Sequence, residues 1–274
     1  MKTWDKLLQD LPTLEPGWVW LTGAGPGDPG LLSLLACHGL RQADVVIYDA
    51  LVSPGVLALA GDRAQMIDAG KRGGRPSPTQ SDISRRLVEL ARAGKRVLRL
   101  KGGDPLIFGR GGEEALALAA AGVPFRIVPG ISAGVGGLAY AGIALTHRSI
   151  NSAVTFVTGH DVSGSVSGTL DWPALAKGSP VLVIYMALSN LEALAGRLLD
   201  AGRRADEPVA LVSKATTPDQ RIVETTLGSC AQAAVEKSIE PPCMVVLGEV
   251  VRLRAGLDWL GAMSGRKLEA GPLD

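Results

Sequence analysis

The sequence predicts an α/β protein of two domains, with a mainly parallel N-terminal sheet and a mixed C-terminal sheet. Three observations predict it. Through the first half of the chain, short apolar runs alternate with helical patterns, the order of a parallel sheet with crossover helices. After about residue 152 a second set of apolar runs begins. Two of its members, 209–213 and 222–226, are joined by a polar segment carrying Pro218, which suits an antiparallel hairpin and so a mixed sheet. Finally, 46% hydrophobic and 20% charged residues over 274 positions describe a globular chain with ample core.

The elements follow in order. Strands are expected at 19–22, 45–48, 65–67, 96–100 and 125–128, and helices at 31–42, 54–60, 80–93, 113–121 and 133–141. Gly94 and Gly122 fall just past helix ends, and Ser132 stands where an N-cap is wanted. The second set has strands at 153–158, 181–185, 209–213, 222–226 and 244–247, with its clearest helix at 188–201. A first domain over 1–146, a second over 147–264 and a flexible tail over 265–274 are the expected divisions. With only 4% aromatic residues, the core must rest on Leu, Val, Ile and Ala.

The formal charge is +1, from 28 Lys and Arg against 27 Asp and Glu, so bulk charge gives no reason to expect a nucleic-acid partner. Residues 71–110 are locally basic, with eleven Lys or Arg and three Asp or Glu, a net of +8. Such a field attracts a polyanionic small molecule where the charges converge, although several of these side chains suit the solvent face of one helix. Cys37, Cys230 and Cys243 are far apart and form no CxxC, which fits a reduced cytoplasm. The opening segment has no long apolar core and carries acids, so it does not read as a signal peptide. Residues 127–146 lack charge for long enough to span a bilayer. Their five glycines and Pro129 indicate instead a strand, a turn and a buried helix, with no membrane partner.

Residues 97–114, VLRLKGGDPLIFGRGGEE, are the most informative stretch. An apolar strand breaks at Gly102, Gly103, Asp104 and Pro105, and more glycines follow before a helix. Glycines let bare backbone approach a ligand, and open α/β sheets bind ligands at the carboxyl ends of their strands. As a turn residue, Asp104 should be replaceable without loss of the fold. The loop at 23–28, GAGPGD, lacks the third glycine of a dinucleotide fingerprint, Pro26 removes an amide, and Asp28 would repel a pyrophosphate. It suits a cation-bearing cofactor better than NAD. Asp49 follows the run Val45-Val46-Ile47-Tyr48 at a strand's carboxyl end. Ser132 and Ala133 occupy a strand-to-helix turn with amides free for a ligand. Arg110 and Arg148 are candidates for bidentate carboxylate binding. The three histidines have no metal-ligand spacing, and no metal is expected.

These motifs together resemble the tetrapyrrole methylases, and best the branch of that family acting on uroporphyrinogen III. VWLTGAGPG, VVIYDALVS, GKRGG, KGGDPLIFGRGG, PGISA, THR, TGH, YM and PPCMVVLGEVV follow in family order over almost the whole chain. The resemblance implies a two-domain fold of that type with the active site in the cleft between domains. It implies methyl transfer from S-adenosylmethionine to carbons 2 and 7 of uroporphyrinogen III, giving precorrin-2 for cobalamin or sirohaem synthesis and S-adenosylhomocysteine as coproduct. It assigns Asp49 as general base and Lys71 as proton donor. It places Pro26, Gly102, Gly103, Asp104, Ile107, Ser132, Ala133, Met186, Ala215 and Met244 at the cofactor. Core packing competes with that role for a methionine on an apolar strand, so Met186, at a strand end, ranks above Met244. Lys71 and Arg72 could equally hold substrate carboxylates, beside Arg110 and Arg148. A cytoplasmic homodimer is implied. A later corrin-ring methyltransferase and a non-enzymatic tetrapyrrole-binding protein are the alternative readings.

Overall fold

The computed structural model describes residues 6, 10–70, 79–160 and 164–269. The chain forms two compact units, Met1–Ser132 and Ala133–Asp274. The division precedes the expected one at 146 because Leu138, Ala141 and Ile143 are buried in the core of the second unit.

In the first unit five strands form one parallel sheet: β1 (Val19–Gly23), β2 (Val45–Tyr48), β3 (Gln65–Asp68), β4 (Val97–Lys101) and β5 (Phe125–Val128). Their order is β3-β2-β4-β1-β5, so β4 lies in the middle with a partner on either side. Alternation along each strand fills both faces. Val19, Leu21, Val45, Ile47 and Val97 pack under the helices Gln80–Arg92 and Gly111–Ala120 through Leu87, Leu90 and Leu118. Trp20, Val46, Leu98 and Leu100 turn the other way, against the helix Leu34–Gln42 through Ala36 and Leu40. The same alternation puts Arg99 and Lys101 on the Val97 face, beneath the covering helices. Thr79 and Asp82 close a capping box at the start of Gln80–Arg92. Gly94 and Gly122 take left-handed φ values past their helices.

The second unit holds a mixed sheet of order β6-β7-β10-β8-β9, formed by β6 (Thr155–Thr158), β7 (Leu182–Tyr185), β8 (Pro208–Ser213), β9 (Arg221–Thr226) and β10 (Cys243–Leu247). Only β6 and β7 pair in parallel; β8 and β9 form the expected hairpin. Helices Trp172–Gly178 and Cys230–Glu236, unmarked in the sequence reading, cover one face beside Leu191–Asp200. The charge-free stretch 127–146 resolves into the end of β5, a turn, a π-helical turn Ala133–Gly137 and the short helix Leu138–Tyr140. No described helix is long and apolar enough to cross a membrane. Residues 265–269 are tied down: Glu269 donates its amide to Ala255, and Arg266 pairs with Asp258 at 2.6 Å.

The cysteines differ in environment. Burial pushes the Cys243 thiol up to about 12 and raises that of Cys230, whereas Cys37 is half-buried. Iodoacetamide should therefore label Cys37 in the native protein and the other two only after denaturation. Equal labelling of all three thiols under native conditions contradicts these burials.

Candidate active site

The loops leaving β1, β4 and β5 in the first unit are locked together by glycines. Gly25 and Gly103 exchange backbone hydrogen bonds of 3.2 and 2.8 Å. A Cβ on Gly130 would lie 2.2 Å from the Gly103 oxygen, and one on Gly23 would lie 2.5 Å from the same atom. Only glycine permits this approach. Asp104 ties the same loops: its Oδ1 accepts from the Leu106 amide at 2.8 Å and its Oδ2 from the Gly130 amide at 3.0 Å. Asp104 is thus a cross-brace between loops as well as a turn residue, so its loss should lower stability while leaving the fold in place. Asp104→Ala should cost roughly 1–3 kcal/mol of stability. A melting temperature equal to that of the parent would contradict the brace.

Beside this lock the chain exposes apolar side chains. Leu51, Leu106, Ile107, Phe108 and Ile131 all stand in the solvent at or just beyond strand ends. Phe108 and Arg110 have left-handed φ values of 51° and 59°, so the loop from Gly102 to the helix Gly111–Ala120 holds strained backbone. Pro26 is half-buried in the β1 loop, and Asp28 caps the following turn by accepting from Gly30 at 2.7 Å.

Asp49 sits at the end of β2, at the edge of a buried ionic cluster that sequence reading did not find. Arg99 and Lys101, 1% and 2% exposed, project from β4 toward Glu114, which is fully buried on the helix Gly111–Ala120. Glu114 Oε1 accepts from Arg99 Nε at 3.1 Å, Lys101 Nζ at 3.1 Å and Gln80 Nε2 at 2.9 Å. Arg99 Nη2 also donates to Asp49 Oδ1, and Lys101 Nζ lies 3.6 Å from Asp49 Oδ2. Lys71 and Arg72 lie outside the described residues.

The two other candidate arginines differ in freedom. Arg110 grips Glu113 through two hydrogen bonds of 2.8 and 2.7 Å. The Arg110 hydrogen bond lowers the Glu113 carboxyl below its usual range, and Glu113 raises Arg110 in turn. The pair is therefore intact at neutral pH and is released only as the pH falls through the lowered carboxyl value. Arg148 is exposed and has no ion pair among the described residues. Its loop is nevertheless stiff, because the side chain of Asn151 bonds His147, Leu145 and Ala153.

In the second unit, Ala133 opens the π-helical turn, which also holds Gly134 and Gly137. The Gly134 amide donates to the Tyr185 hydroxyl at 3.0 Å, and a Cβ on Gly137 would meet that of Ala215 at 2.8 Å. The turn is thereby pressed onto the ends of β7 and β8, which bear Met186 and Ala215. Met186 is 43% exposed with φ 53°, and Lys214 and Thr216 have φ values of 48° and 66°. Left-handed backbone is rare for a β-branched residue such as Thr216. Ser132 directly precedes the turn and is half-buried. Met244 behaves otherwise: it is 6% exposed and packs in the core with Leu138, Val183 and Val212. Its position inside β10 faces it into the sheet packing, where core packing accounts for its side chain. Tyr185 and Gly134 were not singled out by the sequence reading as a contact, since they are distant in sequence and nothing local marks them.

Strained, glycine-built loops at the carboxyl ends of a parallel sheet stand where open α/β enzymes generally take their ligands. The chain belongs to the tetrapyrrole methylases: the model of the family Tetrapyrrole (Corrin/Porphyrin) Methylases matches residues 19–231. A uroporphyrinogen-III C-methyltransferase from Sinorhizobium sp is 61% identical over 268 residues, covering 98% of this chain and 96% of that protein. A siroheme synthase from Acinetobacter baylyi is 51% identical over 90% of this chain, which spans only 54% of that longer protein. Among solved structures, the uroporphyrin III C-methyl transferase from Thermus thermophilus complexed with S-adenyl homocysteine is 42% identical, with a TM-score of 0.75 over 86% of this chain and 99% of that one. A cobalt precorrin-4 methyltransferase matches with a TM-score of 0.77 but 28% identity, over 88% of this chain and 99% of its own.

Proposed function

We propose that this chain is a C-methyltransferase that transfers methyl groups from S-adenosylmethionine to carbons 2 and 7 of uroporphyrinogen III, giving precorrin-2. One observation carries the reading: the 61% match to a uroporphyrinogen-III C-methyltransferase runs over nearly the full length of both chains. The lower identity to the precorrin-4 enzyme at equal fold similarity favours this substrate over a later corrin.

The residues present fit such a donor. In the first unit, exposed Ile107 and Phe108 offer apolar surface of the kind an adenosyl group takes; Met186, exposed in the second unit, is assigned to the donor by the family resemblance. Gly102, Gly103, Pro26, Ser132, Ala133 and Ala215 supply backbone and small side chains for close approach. Asp104 keeps lone pairs beyond the two amides it accepts, enough for a donor hydroxyl or amine. When bound, S-adenosylmethionine supplies an electrophilic methyl on a sulfonium that is already a good leaving group.

The protein then has to align the methyl acceptor and receive a proton as the ring system rearranges. Asp49 takes the proton, and Lys71 returns one where the macrocycle needs it. Arg148 holds a propionate or acetate carboxylate, while Arg110 does so only by giving up Glu113. Arg148→Ala should therefore raise KM for uroporphyrinogen III by roughly ten- to hundredfold, the worth of one charge-assisted hydrogen bond, and Arg110→Ala by less. Steady-state kinetics on both variants checks the order; an unchanged KM in Arg148→Ala would remove it from the substrate site. A cytoplasmic homodimer belongs to the same reading, and light scattering of the purified chain tests the dimer. The function itself is tested by counting S-adenosylhomocysteine formed per uroporphyrinogen III consumed: two are expected, and none contradicts it.

A further inference from the structure

We infer that Arg99, braced by Glu114 and Lys101, is the positioning residue for the Asp49 carboxylate. The inference rests on the reading of Asp49 as base and goes beyond it, because all three residues lie beneath the sheet's covering helices, away from solvent.

Packing does not explain the cluster. Taking ions from water costs several kcal/mol each, and apolar side chains of similar volume often stabilise a core as well or better. What the ions provide is fixed geometry. Arg99 uses its whole guanidinium: Nε on Glu114 at 3.1 Å, Nη2 on Asp49 Oδ1, and Nη1 near the carbonyls of Ile47 at 3.4 Å and Leu100 at 3.5 Å. A planar fork held at each nitrogen cannot swing. Asp49 Oδ1 is therefore pinned. Oδ2 has only Lys101 Nζ, at 3.6 Å, beyond hydrogen-bond distance among the described residues. Oδ2 is the oxygen left to accept a proton from a substrate. Glu114 anchors the device, since its Oε1 takes three donors while the buried Oε2 has no partner among the described residues.

A double-mutant cycle tests this. Arg99→Lys keeps the charge and loses the fork. It should lower kcat by roughly 10- to 100-fold, the effect of a displacement on the order of 1 Å at the reacting groups. The S-adenosylhomocysteine affinity, measured by calorimetry on the same preparation, should stay within about twofold. In an Asp49→Asn background the same substitution should lower kcat by less than about twofold, because no base remains to be positioned. Equal losses in both backgrounds, or an unchanged kcat in folded Arg99→Lys, overturn the inference. Full activity of Asp49→Asn alone overturns instead the role of Asp49 on which it rests. If Arg99→Lys yields no folded enzyme, Glu114→Gln enters the same cycle with the same expected and contrary results.

Discussion

Asp49→Asn should lower kcat for methylation of uroporphyrinogen III by roughly 10²–10⁴-fold, the range for a positioned acid–base group. Affinity for S-adenosylhomocysteine should stay within a few-fold, since the role proposed for the residue at the end of β2 is toward the macrocycle and not the donor. The substitution is nearly isosteric but not innocent. Asp49 balances the cluster of Arg99, Lys101 and Glu114, and without it two cations face one carboxylate. Removing one member of a buried ion pair costs about 3–5 kcal/mol, and the partial exposure of Asp49 places the cost at the lower end. Melting curves and cofactor titration must therefore accompany the kinetics. A folded variant with normal cofactor affinity and a kcat within a few-fold of the parent would leave Asp49 as an orienting group or a turn cap.

Gly130→Ala should be the most damaging change outside the ionic cluster. Its Cβ would lie 2.2 Å from the Gly103 oxygen and 2.7 Å from the Gly23 Cα, both backbone atoms of neighbouring loops. Neither can retreat without breaking the Gly25–Gly103 bridge or the Asp104 brace. Overpacking of this kind costs about 3 kcal/mol or more, a fall of roughly 6–12 °C in Tm for a unit of this size, with loss of cofactor binding. Gly112→Ala is the contrast. It lies in the helix Gly111–Ala120 with nothing within 4 Å of a Cβ, so it should stabilise by about 0.5–1 kcal/mol. Calorimetric melting of the two variants side by side checks both; a Gly130→Ala protein as stable as the parent would show that the three loops can separate.

Strand alternation and turn glycines made the first sheet legible, because a buried parallel strand has few other ways to appear. The expected strand 45–48 is β2 residue for residue, and 125–128 is β5. Short helices such as Trp172–Gly178 and Cys230–Glu236 escaped because seven residues give too little periodicity to stand out. Loop structure was legible where backbone chemistry dominates: the glycines Gly103 and Gly25 and the turn residue Asp104 are the ones that lock the loops together. The candidate site was not legible where contacts depend on sheet order. Arg99 and Lys101 are spaced by two in VLRLK, so both point to one face, but only the placement of β4 between β1 and β2 buries them. That spacing was the available signal: two like charges on one face of an interior strand demand buried carboxylates, and Glu114 answers. The burial of Met244 was hidden for a related reason, since an apolar strand does not reveal which of its residues face the core.

The most direct measurement of the reaction is the mass of the tetrapyrrole recovered after anaerobic incubation of the purified chain with uroporphyrinogen III and S-adenosylmethionine carrying a ¹³C-labelled methyl, followed by ¹³C spectroscopy of the product. The expected product carries two labelled methyl groups on quaternary ring carbons. Recovery of unlabelled uroporphyrinogen III, from enzyme shown by titration to bind S-adenosylhomocysteine, would contradict the account and leave a cofactor-binding member of the family that acts on something else.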